Sequence, residues 1–135
     1  MEKIIILSLT LLLLGSPVLA STESDINLER TKVGLPKLTI YSGLQQSAID
    51  KVLDMIKWNY FAHTSPAGKS FTCFIINKGI RFAMAGEILA RGYSGAELIK
   101  AWMSSPAHKA VILDRDFNKV GCYSKQGLTA CHFIK

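Results

Sequence analysis

The stretch KVGCYSKQGLTACHFI, residues 119–134, decides the fold class because it predicts a β-hairpin at the end of the chain. Two short segments, Lys119–Ser124 and Leu128–Ile134, have the composition of strands. Between them Gln126 and Gly127 form a two-residue turn, in which the glycine supplies the positive φ that such turns need. This end of the chain therefore predicts a pair of antiparallel strands.

The hairpin register places two cysteines opposite each other. Counting outward from the turn, Lys125 faces Leu128, and Cys122 faces Cys131 on a non-hydrogen-bonded pair, where side chains approach most closely. We expect a cross-strand disulfide between Cys122 and Cys131, with two buried thiols as the alternative. Cys73 is then left over, either buried or as a reactive thiol that links two copies of the chain in a dimer.

Upstream of the hairpin, the strongest signal is a long amphipathic helix. Ser42 and Gln45 form the pattern of a capping box in which the serine is the N-cap. The residues of the predicted buried face recur at steps of three and four: Leu44, Ala48, Val52, Met55, Ile56 and Asn59. Such spacing is typical of a helix with one buried face.

Shorter helices are predicted on either side of this one. Residues 21–35 contain a first helix that ends at Gly34 and Pro36, and residues 38–41 form a brief extended link. After a loop at residues 63–69, three more helices follow: one with Phe71, Phe74 and Ile75 that ends at Gly79, one opened by a capping box of Ser94 and Glu97, and one that starts at Ser105 and Pro106 and continues to Leu113. Helices in mixed order around a small sheet indicate an α+β fold.

Residues 1–20 have the pattern of a secretory signal peptide. Residues 4–14 form an apolar run interrupted only by two hydroxyl side chains, and Val18 and Ala20 are the small residues expected before a cleavage site. The run is too short to span a bilayer of about 30 Å as a helix. We therefore expect an extracellular or periplasmic protein without a transmembrane span in its mature form, with an uncleaved N-terminal anchor as the alternative. Those compartments permit disulfides.

Length and composition limit the class of protein. The chain has 135 residues, 49% of them apolar, and a formal net charge of +6. These values fit one folded domain over residues 21–135 and exclude a disordered chain. Lysine and arginine are scattered singly, without interleaved aromatics, so no nucleic-acid partner is expected. The positive charge favours acidic partners.

Candidate chemical groups are few. His63 follows the long helix, Glu87 lies in an apolar segment, and His108 lies near the start of the helix that begins at Pro106. Taken singly, each of the three is more often a hydrogen-bonded structural group than a ligand. The sequence contains no zinc-protease helix with paired histidines, no CxxC pair, no phosphate-binding loop and no nucleophile elbow.

Several segments occur together in a fixed order: NYFAHTSPAG at 59–68, AGEILA at 85–90, AWMSSPAHKAVIL at 101–113 and FNKVG at 117–121. They are preceded by NLER at 27–30 and GLPKL at 34–38. In this order they resemble the bacterial branch of the CAP superfamily, the SCP-domain proteins that include cysteine-rich secretory, antigen 5 and pathogenesis-related class 1 proteins. The resemblance covers about residues 25–135.

The resemblance implies an α-β-α sandwich with a small central antiparallel sheet. It also implies a cleft where two histidines and two acidic residues meet, which binds zinc or another divalent ion in some members. Carried over, His63, Glu87 and His108 are the candidate metal ligands, and such groups suit zinc. The chain departs from the family at Ser105, where other branches have a glutamate, and at Ile88, where the family has an asparagine. A hydrogen-bonded His–Glu–His cluster without metal is the alternative.

These observations favour a secreted, non-catalytic binding or interaction module. Its ligand would be a lipid, a sterol or an acidic envelope component, as the resemblance implies. The alternative is a metal-dependent hydrolase, in which His63, Glu87 and His108 hold a zinc ion that lowers the pKa of bound water. A third possibility is a surface interaction protein that its positive charge directs to acidic surfaces.

Overall fold

The computed structural model describes residues 20–135. The predicted signal peptide lies outside the described residues apart from Ala20, and its cleavage stays a prediction. Within residues 20–135 the elements follow in this order: α1 (Thr22–Lys32), β1 (Thr39–Ile40), α2 (Ser42–Trp58), α3 (Thr72–Ile76), β2 (Ala85–Arg91), α4 (Gly95–Met103), α5 (Pro106–Ile112), β3 (Lys119–Lys125) and β4 (Leu128–Ile134).

The strands form one sheet in the order β1-β3-β4-β2. β4 lies between β3 and β2 and runs antiparallel to both. The two-residue strand β1 pairs in parallel with β3, so the predicted antiparallel sheet is correct except at this edge. β2 forms the other edge. The helix and strand patterns did not predict β2, because its residues from Glu87 to Ala90 are all buried and show no alternation.

The C-terminal hairpin has the predicted turn and register. Gln126 and Gly127 both have positive φ, at 50° and 75°, which matches the right-handed twist of the two strands. Cys122 pairs with Cys131, and their Cα atoms are 4.1 Å apart, as expected for a non-hydrogen-bonded pair. The disulfide between them is formed, which confirms the prediction.

Helices cover both faces of this sheet, which gives the α-β-α sandwich that the resemblance implied. α2 and α3 lie on one face, which we call the α2 face, and α1, α4 and α5 lie on the other, which we call the α4 face. Side chains alternate along each strand. In β4, Ala130, His132 and Ile134 therefore point to the α2 face, whereas Cys131 and Phe133 point to the α4 face.

Gly121 of β3 lets α2 approach the sheet closely. A Cβ atom on this residue would overlap the backbone of Leu44 and Gln45 in α2. Because α2 lies so near, the small side chain of Ser47 reaches His132 in the middle of β4. The glycine therefore brings a polar residue of the helix into contact with the sheet.

The long helix is confirmed, but its predicted cap is wrong. The N-cap of α2 is Tyr41, without a side-chain cap, and Ser42 is already helical. The reason is that Tyr41 still donates its amide to Val120 of β3, so the chain leaves the sheet one residue later than predicted. The Gln45 side chain donates instead to Glu23 of α1. At the other end, Asn59 is an exposed left-handed C-cap rather than a residue of the buried face.

The other helix starts are confirmed in position. Ser94 and Ser105 are the N-caps of α4 and α5, and Pro106 is the first residue of α5. Neither serine caps its helix with its side chain, so the predicted Ser94–Glu97 capping box is wrong. A capping box does occur at α1, where Ser21 and Ser24 bond each other reciprocally.

Candidate functional site

Glu87 of β2 is the centre of a buried hydrogen-bonded chain on the α2 face. Its Oε1 lies 2.7 Å from Nδ1 of His63, and its Oε2 lies 2.8 Å from Nε2 of His132. The Glu87 and His132 side chains are fully buried, whereas the side chain of His63 is 57% exposed. Both oxygens of the carboxylate are thus engaged by imidazoles, one inside the protein and one at its surface.

The chain continues inward to Ser47. Nδ1 of His132 lies 2.7 Å from Oγ of Ser47, and this hydroxyl donates to the carbonyl of Leu44 at 2.9 Å. Oγ of Ser47 thus bonds both a carbonyl of its own helix and the imidazole of His132. A proton must also lie between Nε2 of His132 and Oε2 of Glu87, since neither atom can bond the other without one. The buried end of the chain is therefore fully paired.

His63 is held with one ring nitrogen free. Its Nδ1–H donates to Glu87, which leaves Nε2 as an unprotonated acceptor when the ring is neutral. Phe71 packs against both imidazoles, with ring centroids 6.3 Å from His63 and 5.8 Å from His132. This arrangement orients the ring of His63 as carboxylate partners orient ligating histidines in metal sites.

Lys51 of α2 fastens the loop that carries His63. Its buried Nζ donates to the carbonyls of Ala62 at 2.7 Å and His63 at 3.2 Å. Burial lowers the pKa of Lys51, and the negative charge of Glu87 partly offsets that effect. The ammonium group thus ties the loop that carries His63 to α2.

Beside the same loop, Tyr60 lies over this lysine. Its hydroxyl donates to Asp54 at 2.6 Å, and its ring lies 4.8 Å from Nζ of Lys51. Burial, together with the bond to Asp54, raises the pKa of the tyrosine well above its ordinary value. Tyr60 therefore stays a neutral donor at physiological pH.

His108 of α5 lies near His63 but belongs to a separate pair. Its Nδ1 lies 2.7 Å from Oγ of Ser105, so the serine that replaces the family's glutamate is the residue that orients this imidazole. Burial lowers the pKa of His108, and the nearby His63 lowers it further. The ring is therefore neutral at pH 7, with Nε2 unused.

The predicted metal ligands are brought together only in part. Glu87 contacts His63 directly, whereas His108 bonds Ser105. Within the described part of the chain, no three or more His, Cys, Asp or Glu side chains are grouped as metal ligands. The imidazoles of His63 and His108 fit zinc as donors, and Glu87 fits the role of the carboxylate that orients one of them. The three-ligand set stays a prediction.

A cleft of about 340 Å³ opens beside His108. Its lining includes Phe61, Arg91, Tyr93 and Trp102. The guanidinium of Arg91 lies 4.9 Å from the centre of the Phe61 ring, a cation–π contact. The cleft thus combines exposed aromatic surface with one cationic group, next to the two surface imidazoles.

The buried members of this network carry no clear signal in the sequence. His132, Ser47 and Lys51 are all fully buried. One signal could have found His132: it follows Cys131, so strand alternation places it on the opposite face of the sheet from the disulfide. Ser47 and Lys51 stand among the apolar residues of an amphipathic helix, and no local pattern links them to Glu87.

Comparison with known proteins identifies the sequence family. Residues 24–132 match the CAP family, described as the cysteine-rich secretory protein family. The uncharacterized protein YkwD of Bacillus subtilis (strain 168) is 41% identical over 96 residues, which are 70% of this chain and 37% of that protein. The chain thus spans little more than a third of the length of this relative.

Solved structures have the same fold. An extracellular protein containing a SCP domain from Bacillus anthracis str. Ames superposes with a TM-score of 0.77 at 26% identity, over 82% of this chain and 37% of that one. An outer surface protein from Borrelia burgdorferi gives a TM-score of 0.77 at 26% identity, over 84% of this chain and 88% of that one. Among residues 20–135, no helix has the length and apolar character needed to cross a membrane.

Proposed function

The chain belongs to the CAP family of cysteine-rich secretory proteins, and from this premise we propose that it is a secreted, non-catalytic binding module. The cleft beside His108 is the proposed binding site, because two of its aromatic side chains, Phe61 and Tyr93, are exposed to a ligand. Its ligand is an envelope component, a lipid or a sterol. The single observation that carries the proposal is this aromatic cleft. The residues that line it do not include an activated nucleophile.

The buried chain supports a non-catalytic role. Ser47, His132 and Glu87 follow the order of a serine–histidine–acid triad. However, Ser47 is fully buried, and its hydroxyl donates to a carbonyl of its own helix. No substrate could reach it. At the surface, Ser105 bonds His108, but among residues 20–135 no carboxylate is bonded to that imidazole to orient it as a base.

Export is supported by three observations. The first 20 residues have the pattern of a signal peptide. The two structural relatives are described as extracellular and as an outer surface protein. A disulfide in the sheet fits an oxidising compartment. We therefore place the mature chain outside the cytoplasm.

Ligand retention tests the proposal. The mature chain is purified from the secreted fraction, and its bound lipids are extracted and identified by mass spectrometry, with a fluorescent fatty acid and a fluorescent sterol as added probes. Phe61→Ala/Tyr93→Ala should weaken binding about tenfold, because both aromatic surfaces of the cleft are lost. The control is Trp58→Ala, which removes an exposed aromatic that does not line the cleft. Equal binding by both variants would contradict the proposed site.

A metal-dependent hydrolase is the second candidate. The observation that favours it is the pair of imidazoles, His63 and His108, each with Nδ1 engaged and Nε2 unused. Bound zinc would supply a water of lowered pKa. Calorimetric titration with zinc should then show one site per chain that His63→Ala/His108→Ala abolishes. Zinc binding that survives this double substitution would exclude the site.

Cys73 is the free cysteine of the described residues and is partly exposed in α3. We keep the disulfide-linked dimer as a proposal. It predicts a band of twice the monomer mass on a non-reducing gel, which reduction and Cys73→Ser each remove.

A further inference from the structure

We propose that the outer edge of β2 binds an extended peptide by adding it as a further strand. The inference rests on the proposed function, a binding module with its site at the cleft beside His108, and deepens it by selecting the envelope component among the proposed ligands and naming its chemistry. That ligand is a peptide main chain in the β conformation, with an acidic side chain near Arg91.

β2 is an edge strand, and alternate residues turn their backbone groups away from the sheet. It pairs only with β4. Gly92 donates its amide to Gly127 across the ladder. Gly92 and Gly127 thus form a hydrogen-bonded pair. Because hydrogen-bonded and non-hydrogen-bonded pairs alternate in an antiparallel ladder, the backbone N–H and C=O groups of Arg91 and Leu89 point away from β4. Trp102 confirms this phase, since its indole N–H donates to the outward carbonyl of Leu89 at 2.9 Å.

Three of these outward groups have no hydrogen-bond partner within residues 20–135. They are the N–H of Leu89 and both the N–H and the C=O of Arg91. The two residues are two positions apart, which is the repeat at which an added strand donates and accepts. The unused groups are therefore complementary to the main chain of an extended peptide.

The cleft gives access to this edge. Its lining includes Leu89, Ala90 and Arg91, which we call the floor of the cleft, together with the aromatic side chains of Phe61 and Tyr93. An added strand would bring its alternate side chains to this lining, as strand-addition sites do.

The floor favours a peptide over a hydrocarbon chain. A lipid tail laid along β2 would cover the N–H of Leu89 without offering it an acceptor, and burial of an unpaired amide is costly. A peptide carbonyl satisfies the same N–H. The side chain of Arg91, held over Phe61, and the net charge of +6 add a preference for acidic residues.

A matched pair of substitutions at one position tests the backbone contact. The probe is a peptide selected on the mature chain from a phage-displayed library of random dodecapeptides, then synthesised with a fluorophore. Arg91→Ala removes the guanidinium but keeps the N–H. Arg91→Pro also removes the N–H, and proline is tolerated on an edge strand where the N–H faces outward. We expect Kd to be about tenfold higher for Arg91→Pro than for Arg91→Ala, because one main-chain hydrogen bond is lost.

Amide hydrogen exchange gives a second readout on the unmodified protein. Saturating peptide should slow exchange at the amides of Leu89 and Arg91 at least tenfold. Equal Kd values for the two variants, or unchanged exchange at both amides, would overturn strand addition. So would a library from which no peptide is selected. The proposed function is decided by different probes. It stands if the cleft binds lipid or sterol when no peptide binds, and it fails if lipid and sterol do not bind either.

Discussion

The two faces of the sheet bury different chemistry. The α4 face is packed around Trp102, Phe133 and the disulfide between Cys122 and Cys131. The α2 face contains smaller apolar clusters, and between α2 and the sheet it buries the charged side chain of Glu87 with the imidazole of His132. The α4 face also buries polar side chains of α1, namely Glu23, Asn27 and Arg30, but these bond mainly backbone groups, whereas Glu87 and His132 bond each other.

The comparison shows how a small domain can accommodate buried polar groups. Within the described residues, every fully buried side-chain nitrogen and oxygen has a hydrogen-bond partner. The α2 face achieves this with a continuous chain of bonds that reaches the surface at His63. The α4 face supplies apolar burial that offsets the desolvation of that chain. Substitutions on the α2 face should therefore lower the free energy of unfolding by leaving polar groups unpaired, and substitutions on the α4 face should lower it by removing apolar contacts.

The largest expected effect is at His132. His132→Leu leaves Glu87 buried without its inner partner, and we expect the free energy of unfolding to fall by about 4 kcal/mol. Urea unfolding followed by circular dichroism measures it. Phe133→Leu, at the next residue but on the α4 face, is the control and should cost about 1 kcal/mol. If the two costs are equal, the buried bond to His132 contributes nothing special, and the contrast between the faces is lost.

Two glycines, one facing each side of the sheet, allow the packing of the two faces to be compared. Gly121→Ala should destabilise by about 3 kcal/mol, because the added methyl meets the backbone of α2, which cannot move aside alone. Gly86→Ala faces the ring of Phe117 at 2.7 Å on the α4 face, and a rotating ring should reduce the cost to about 1 kcal/mol. Thermal unfolding of both variants gives the order, and the reverse order would contradict the close approach of α2.

The disulfide belongs to the α4 face and should act on stability alone. Cys122→Ala/Cys131→Ala opens a loop with a sequence separation of 9, and we expect a loss of about 2.5 kcal/mol. NMR signals of His63 should stay in place, because its partner Glu87 lies on the other face. Cys73→Ala is the control outside the disulfide. A large shift of the His63 signals would show that the faces are coupled.

The smallest effect is a pH dependence at His108. Because burial lowers the pKa of its imidazole from 6.5, the unfolded chain binds a proton more readily than the folded one. Its contribution to stability is therefore complete above pH 7 and is lost as pH falls below about 6.5. NMR titration of the imidazole should give a pKa below 6.5. In unfolding experiments, His108→Gln should lose less stability than the unmodified chain between pH 7 and pH 5.

Part of the candidate site could be read from the sequence. His63, Glu87 and His108 came from the family resemblance, and the structure joins the first two directly. What the sequence could not show is the use of each group: both oxygens of Glu87 are taken by imidazoles, and Ser105 orients His108. Those contacts depend on ring orientations that only packing selects.

By itself, the sequence determined the local features of this protein: the hairpin at Gln126-Gly127, the cysteine pair across it and the long helix α2. Each depends on residues close in the chain or on a regular repeat. Only the tertiary structure decided that Ser47 meets His132, 85 residues away, and that His132 meets Glu87, 45 residues away. It also decided that β2 is an edge, because strand order arises when the sheet assembles and leaves no periodic signal in the sequence.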